Sequence, residues 1–268
     1  MRLLLEPEPV ADLDVLHAHA VAAHASGLDG VMLRQARSLP APLIAAAALA
    51  SRVGDLLLAV EVELGERHPF ELAEEVAVVD LASAGRLILV ARPAPTAQDD
   101  YAEALDLLRT ALTARPFRFE GTRWRVPANL PENEFGLEHE VRLMPPPAQV
   151  RLEVWGTGAG REAALQRGLG HLADADADPI ELGGAHDRAA AALGPAAIGA
   201  PRARRETLTD PDGLVHRLRD GRTAFGQDWA VVAGGPDDAV VLGTRVRPRV
   251  QLHRLNPALE ALWEGEKE

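Results

Sequence analysis

Residues 68–91, HPFELAEEVAVVDLASAGRLILVA, hold a complete helix-to-strand step in which each boundary has a physical cause. Pro69 suits the first helical turn, where its missing N–H leaves no bond unmade. Leu72, Ala73, Val76 and Val79 recur at helical spacing and form one apolar face. Glu71, Glu74 and Glu75 favour the helix start electrostatically. Gly85 supplies the left-handed conformation that ends a helix. Arg86-Leu87-Ile88-Leu89-Val90 then reads as a strand buried on both faces, the pattern of a parallel sheet. The segment is half of a β/α repeat.

On either side of this step, short apolar runs alternate with helical patterns nearly from end to end, which predicts parallel strands with crossover helices. The strand candidates are 2–5, 30–33, 56–64, 87–90, 152–155, 171–173, 196–199 and 229–232. The helices between them are expected over 15–26, 42–52, 69–84, 102–114, 161–167, 187–192 and 214–224, with a terminal helix from about Pro257. Eight strands are what a closed barrel requires. An open doubly wound sheet gives almost the same alternation, and periodicity does not choose between the two. Residues 117–126 have the pattern of a hairpin, and 129–149, with Pro131, Pro145, Pro146 and Pro147, reads as an irregular insertion before the fifth strand. No linker divides the chain, so a single domain over 1–268 is expected.

At 268 residues and 47% hydrophobic content there is ample material for a large core. No run approaches the roughly 18 apolar residues that span a membrane, and residues 1–5 are too short for a secretory signal, so a cytoplasmic location is expected. The absence of cysteine excludes disulfides, thiolate nucleophiles, iron–sulfur clusters and cysteine zinc sites. A formal charge of −12 opposes binding to a phosphate backbone, so nucleic acid is an unexpected partner. Arg202, Arg204 and Arg205, and again Arg245, Arg247 and Arg249, read as arginines on the wet face of a strand, with anion binding as the alternative.

The turn with the clearest chemical potential is Gly156-Thr157-Gly158-Ala159-Gly160, after one strand candidate and before the helix at Arg161. Backbone N–H groups, a threonine hydroxyl and a helix start converge there on one anion, although glycine also serves tight strand-to-helix turns. A dinucleotide fingerprint is the rival reading, with Asp174 to Asp178 downstream, but Arg161 stands where its third glycine belongs. Glu61 and Glu63 share one face of a strand end, either as an acid pair at a barrel mouth or as a solvated end. His17, His19 and His24 do not converge on a metal: the first and last are two helical turns, about 10 Å, apart. Asp174, Asp176 and Asp178 suit a polar loop better than a hard-cation site, so no metal is expected. His68 reads as structural at a helix start, and Ser83 lacks the spacing of a nucleophile elbow.

Three blocks carry a family likeness. Arg67-His68-Pro69, Ala73-Glu74-Glu75 and Asp80 to Arg86 form the first; residues 101–126, YAEALDLLRTALTARPFRFEGTRWRV, form the second; and residues 155–170 form the third. Together with Gly27 to Met32 they resemble, in order, the luciferase-like flavin-dependent oxidoreductase family over roughly residues 1–172. The resemblance implies a (β/α)8 TIM-type barrel with shortened strand-end loops, FMN or a deazaflavin as cofactor, and a phosphate site at Gly156, Thr157, Gly158, Ala159 and Gly160. It also implies a small organic substrate and a homodimer or a heterodimer with a related subunit, for which the apolar helix at 42–50, PLIAAAALA, is the candidate surface.

The likeness fails at the functional end. Where the family commonly has a Glu-His pair after the second strand, this chain reads Val31-Met32-Leu33-Arg34-Gln35, and no catalytic residue is assigned. After the fourth strand Ala91-Arg92-Pro93-Ala94-Pro95 leads quickly to the next helix, removing much of a lid. Arg34 and Arg92 are expected to supply charge to a phosphate or a substrate carboxylate. A noncatalytic subunit that binds flavin or stabilises a partner is the alternative to an oxidoreductase or monooxygenase.

Overall fold

The computed structural model describes residues 1–128, 139–194 and 200–255. In chain order the elements are β1 (Arg2–Glu6), α1 (Leu13–Ala25), β2 (Gly30–Leu33), α2 (Pro42–Ala50), β3 (Leu57–Leu64), α3 (Pro69–Ala82) and β4 (Leu87–Pro93). Then come α4 (Tyr101–Leu112), the short strands β5 (Phe119–Glu120) and β6 (Arg125–Val126), β7 (Glu153–Thr157), α5 (Arg161–Leu165), β8 (Gly170–Ala173) and α6 (Pro179–Leu193). The last are β9 (Arg202–Thr207), α7 (Pro211–Phe225), β10 (Trp229–Ala233), α8 (Pro236–Val241) and α9 (Arg247–Leu255), with one π-helical segment, Leu242–Val246, between the final two.

Eight strands close in the order β1-β10-β9-β8-β7-β4-β3-β2. β1 is parallel to both β10 and β2, which leaves no free edge and decides for the barrel over the open sheet. β5 and β6 form the expected hairpin outside the barrel.

The opening stretch behaves as its residues dictate. His68 caps α3, its Nδ1 accepting from the Phe70 N–H at 3.2 Å, and its ring meets Trp124 edge-on at 5.0 Å. Ala84 and Gly85 both have positive φ, 52° and 79°, and end the helix. Arg86 then donates to the carbonyls of Ala50, Val53, Leu56 and Ser83 at 2.7–3.2 Å, tying the end of α2 and the start of β3 to this corner. Fully buried Asp80 accepts from both the backbone N–H and the side-chain amide of Gln149, at 2.8 and 2.7 Å, which fixes the approach to β7. Ser83 is buried and donates to the Asp80 carbonyl, a structural role.

Alternation along the strands separates two cores. Leu4, Met32, Ala59, Ile88, Val90, Trp155, Leu172, Ala203, Trp229 and Val231 fill the barrel interior, with Trp155 and Trp229 edge-to-face at 5.0 Å. The other strand faces meet the helices in a larger apolar shell. A third cluster under α6 and α7 holds Leu182 and Phe225. Beside it His186 Nε2 and His171 Nδ1 lie 3.0 Å apart, both buried, one donating and one accepting. Burial pushes His171 down to about 3 and His186 down to about 4, so the pair is neutral near pH 7.

Several expectations change. The strand predicted over 196–199 lies on residues outside the described ones, and the seventh barrel strand is β9, whose arginines hide an inward Ala203. Reading Arg202, Arg204 and Arg205 as a wet face is therefore wrong: Arg204 is buried and donates to the Ala175 carbonyl, and Arg205 points into the barrel mouth. Arg245, Arg247 and Arg249 sit on helical turns, not on a strand. α6 begins at Pro179, earlier than predicted, because Asp178 caps it and Gly183 packs against the Ala224 carbonyl, where a Cβ would lie 2.7 Å away. The helix expected from Pro257 also lies outside the described residues; the helical run observed before it starts at Pro236.

Candidate functional site

Continuing seven of the eight barrel strands by two residues past an interior apolar side chain reaches the carboxyl-end mouth, and there the chemistry changes from apolar to polar or charged. Leu4 is followed by Glu6, Met32 by Arg34, Ala59 by Glu61, Val90 by Arg92, Trp155 by Thr157, Leu172 by Asp174 and Ala203 by Arg205. These seven mouth residues, with Gln35 and Gly158, line a cavity of about 550 Å³. That is within the usual range for ligand sites, and this end of a barrel is where such sites lie.

The floor of the cavity is an ionic lattice. Arg205 reaches Glu61 at 2.5 Å and Glu6 at 3.2 Å, and its other nitrogen reaches Asp174 at 3.1 Å. β9 and β3 are four places apart in the eight-strand ring, so the Arg205–Glu61 pair spans the barrel from one side to the other. Arg34 pairs with Glu6 at 3.0 Å, and Arg92 pairs with Glu61 at 3.2 Å and with Glu63. Glu6 and Glu61 are nearly inaccessible, with side chains 8% and 5% exposed, whereas Arg34 and Arg92 are 45% and 30% exposed toward solvent. Burial raises the Glu61 pKa, opposed by Arg205 and Arg92 and reinforced by Glu6.

The five residues of the glycine turn do not act alike. Thr157 and Gly158 border the cavity. The Thr157 hydroxyl donates to the Leu172 carbonyl at 2.9 Å and receives an N–H from Arg205 at 3.3 Å. Gly158 has φ 55° and open space where a Cβ would stand. Gly156 and Gly160 are packing glycines: a Cβ on the first would meet Ala164 at 2.4 Å, and one on the second would strike the Tyr101 ring at 2.6 Å. A three-residue 3-10 turn, Gly158–Gly160, precedes α5, and α5 is only five residues long, so the helix field there is small.

Of the other candidates, Glu61 and Glu63 do share the inward face, and the solvated reading fails for Glu61. Arg34 and Arg92 meet at the same mouth. Gln35 accepts from the Glu63 N–H at 2.9 Å. Asp178 serves as a helix cap and Asp174 belongs to the mouth. His17, His19 and His24 lie along α1, outside the cavity. Sequence reasoning missed Glu6 and misplaced Arg205; the signal was the recurring apolar residue followed two positions later by a charge.

No family model and no curated protein matches the sequence. Solved structures do match. The monooxygenase RslO1 from Streptomyces bottropensis aligns with a TM-score of 0.73 at 17% identity, over 92% of this chain and 99% of that one. The oxygenating constituent of 3,6-diketocamphane monooxygenase from the CAM plasmid of Pseudomonas putida, a Baeyer-Villiger enzyme solved with FMN, aligns with a TM-score of 0.68 at 18% identity, over 93% and 99%. An F420-dependent secondary alcohol dehydrogenase, solved with an F420-acetone adduct, aligns with a TM-score of 0.71 at 13% identity, over 93% and 98%. At these identities the likeness establishes the fold alone: the chain is a closed (β/α)8 barrel of the kind these structures share. Among the described residues, no helix is long and apolar enough to cross a membrane.

Proposed function

We propose that this chain is a flavin-dependent oxidoreductase or monooxygenase of the luciferase-like type, a single-barrel domain that binds FMN or a deazaflavin at the mouth and acts on a small organic substrate. The observation that carries the reading is the mouth cavity, which brings Thr157, Gly158, Arg34 and Arg92 to the carboxyl end of a barrel of this type. The donor set fits the phosphate and the carbonyl-rich edge of such a cofactor: guanidinium forks and a backbone N–H suit oxyanions, and Gln35 and the carboxylates suit a ring N–H. In this reading the turn from Gly156 to Gly160 holds the phosphate, Thr157 and Gly158 facing it while Gly156, Ala159 and Gly160 shape the turn. Arg34 and Arg92 orient the anionic and carbonyl groups, and Glu61, paired with Arg92 and Arg205, holds those guanidinium groups in place at the floor.

Reduced flavin supplies electrons for oxygen activation, and reduced deazaflavin supplies a hydride. The chain itself supplies position and a fixed field. Arg34→Ala and Arg92→Ala are each expected to weaken FMN affinity about tenfold, the worth of one charge-assisted bond. Affinities unchanged in both variants, measured by fluorescence titration, would remove these roles.

A second reading is favoured by one feature of the same cavity. None of the residues lining it is aliphatic or aromatic, and Arg34-Gln35 stands where an imidazole would be expected, so the ring faces find no apolar bed. A noncatalytic subunit that binds a flavin phosphate and stabilises a partner meets that condition. A homodimer, or a heterodimer with a related subunit in the cytoplasm, is proposed through α2 and α3, where Ile44, Val78 and Leu81 are exposed. Cofactor-loaded protein that reoxidises its reduced cofactor no faster than free solution, with any acceptor offered, supports the second reading over the first.

A further inference from the structure

At the opposite end of the barrel lies a second, larger cavity, about 880 Å³, between the end of α4 and the loop that leads into β7. Its two walls differ. One is apolar, built from Leu112, Leu152, Val154 and Leu169. The other carries Arg109, Arg115 and Arg151.

Among the described residues, the cationic wall has little internal neutralisation. Asp106, the one carboxylate in the lining, is held by Arg167 through two bonds of 2.7 and 2.6 Å. Among the described residues no ion pair reaches Arg109 or Arg151. Arg109 is half-buried, and burial lowers its pKa, opposed by Asp106, with Arg167 and Arg151 adding repulsion. Capping the α4 C-terminus accounts for about half a charge of demand, less than one arginine supplies. On a chain of net charge −12, a cavity with three arginines and a single, already engaged acid is not background.

The wall is also fixed in place. Gln149 is bound to the buried Asp80 through its backbone N–H and side-chain amide, and its amide also donates to the Leu87 carbonyl at 2.8 Å. That anchorage leaves the next residue, Val150, wholly exposed, and Arg151 at the rim. A rigid loop that holds an apolar side chain in water beside a cation suits a ligand with both characters.

We propose that this cavity binds a small amphiphilic oxyanion, a carboxylate or phosphate monoester with an aliphatic body. The head group pairs with Arg109 and Arg151, for which both oxyanions offer matching geometry, and the aliphatic body lies along Leu112 and Val150. The site is independent of the mouth and of the flavin reading.

Isothermal titration with octyl phosphate, octanoate and inorganic phosphate tests it, and the ranking of the first two tells phosphate from carboxylate. Saturable one-to-one binding of octyl phosphate or octanoate is expected, tighter than inorganic phosphate. It should weaken about tenfold in Arg109→Ala and severalfold in Arg151→Ala, with unchanged thermal melts, and persist in Arg34→Ala. Val150→Asp, a substitution at a fully exposed position, should weaken it by repulsion without touching the arginines. Absence of saturable binding by all three probes would overturn the proposal. So would binding that survives Arg109→Ala and Arg151→Ala, and binding lost in Arg34→Ala, which would put the anion in the mouth.

Discussion

The barrel interior and the barrel mouth are built by the same strands, two residues apart, yet they obey opposite physics. Below, Leu4, Met32, Ala59, Trp155 and Trp229 exclude water and hold the strands by contact. Above, Glu6 and Glu61 are nearly as inaccessible and Arg205 is mostly buried, but these are held by charge. Apolar burial contributes stability directly, about 25 cal/mol per Å². Buried ion pairs roughly break even, because the desolvation of each charge offsets its attraction to the other. A fold needs the first kind of layer; the second, placed where barrels bind ligands, fits a functional constraint better than a structural one.

Breaking the lattice should give the largest effect. Arg205→Ala leaves Glu6 and Glu61 buried without their shared partner and is expected to lower unfolding free energy by about 3–5 kcal/mol in urea denaturation. Leu4→Ala, one layer down, should cost about 2–5 kcal/mol through the cavity it leaves. The two regions part company on repair. Replacing Glu61 by Leu together with Arg205 by Met should restore most of the lost stability, because the lattice is not a net source of it. If the double variant stays as unstable as Arg205→Ala, the mouth is a structural element and the contrast fails.

A smaller effect separates the mouth from the buried His171–His186 pair. The unfolded chain takes up protons below about pH 6.5, while the native pair stays neutral down to about 4 for His186 and about 3 for His171. Stability therefore falls as pH falls through that window. Between pH 7 and 5 the loss should reach at most about 2 kcal/mol per histidine. Glu61 has the opposite sign: burial raises its pKa above the ordinary carboxylate value, so its protonation favours the native state as pH falls toward that ordinary value. A His186→Gln variant should flatten the pH 7 to 5 slope of the denaturation midpoint; an unchanged slope would mean the pair is not its source. Smallest is Thr157→Val, which removes one buried hydrogen bond to the Leu172 carbonyl and should cost about 1 kcal/mol.

Much of this architecture is legible in the chain, because its cues are local. Pro69, Gly85 and the apolar spacing of α3 mark their own boundaries, and strands such as β2 and β4 announce themselves as continuous apolar runs. β9 escaped for a physical reason: its single inward apolar residue is Ala203, while its outward Arg202 and Arg204 donate to the distant Phe225 and Ala175 carbonyls and Glu206 pairs with Arg217. α6 runs from Pro179, well ahead of the 187–192 expected, and its Gly183 lets the Ala224 carbonyl approach. At the site, Glu61, Arg34 and Arg92 were visible as strand-end charges. Their union through Arg205 was not, because it joins residues 144 positions apart across the ring. The turn from Gly156 to Gly160 was read as one cradle, whereas its glycines divide between packing and the cavity.

The most direct test of the mouth as a flavin site is a fluorescence and absorbance titration of the ligand-free protein with FMN and with a deazaflavin, beside Gly158→Asp. Asp tolerates the left-handed φ of 55° and meets open space at this position, so the fold should survive while an acid faces the phosphate. Saturable binding of one cofactor, lost in Gly158→Asp at an unchanged melting temperature, is the predicted result. Failure to bind either cofactor, or equal binding by the variant, would contradict it.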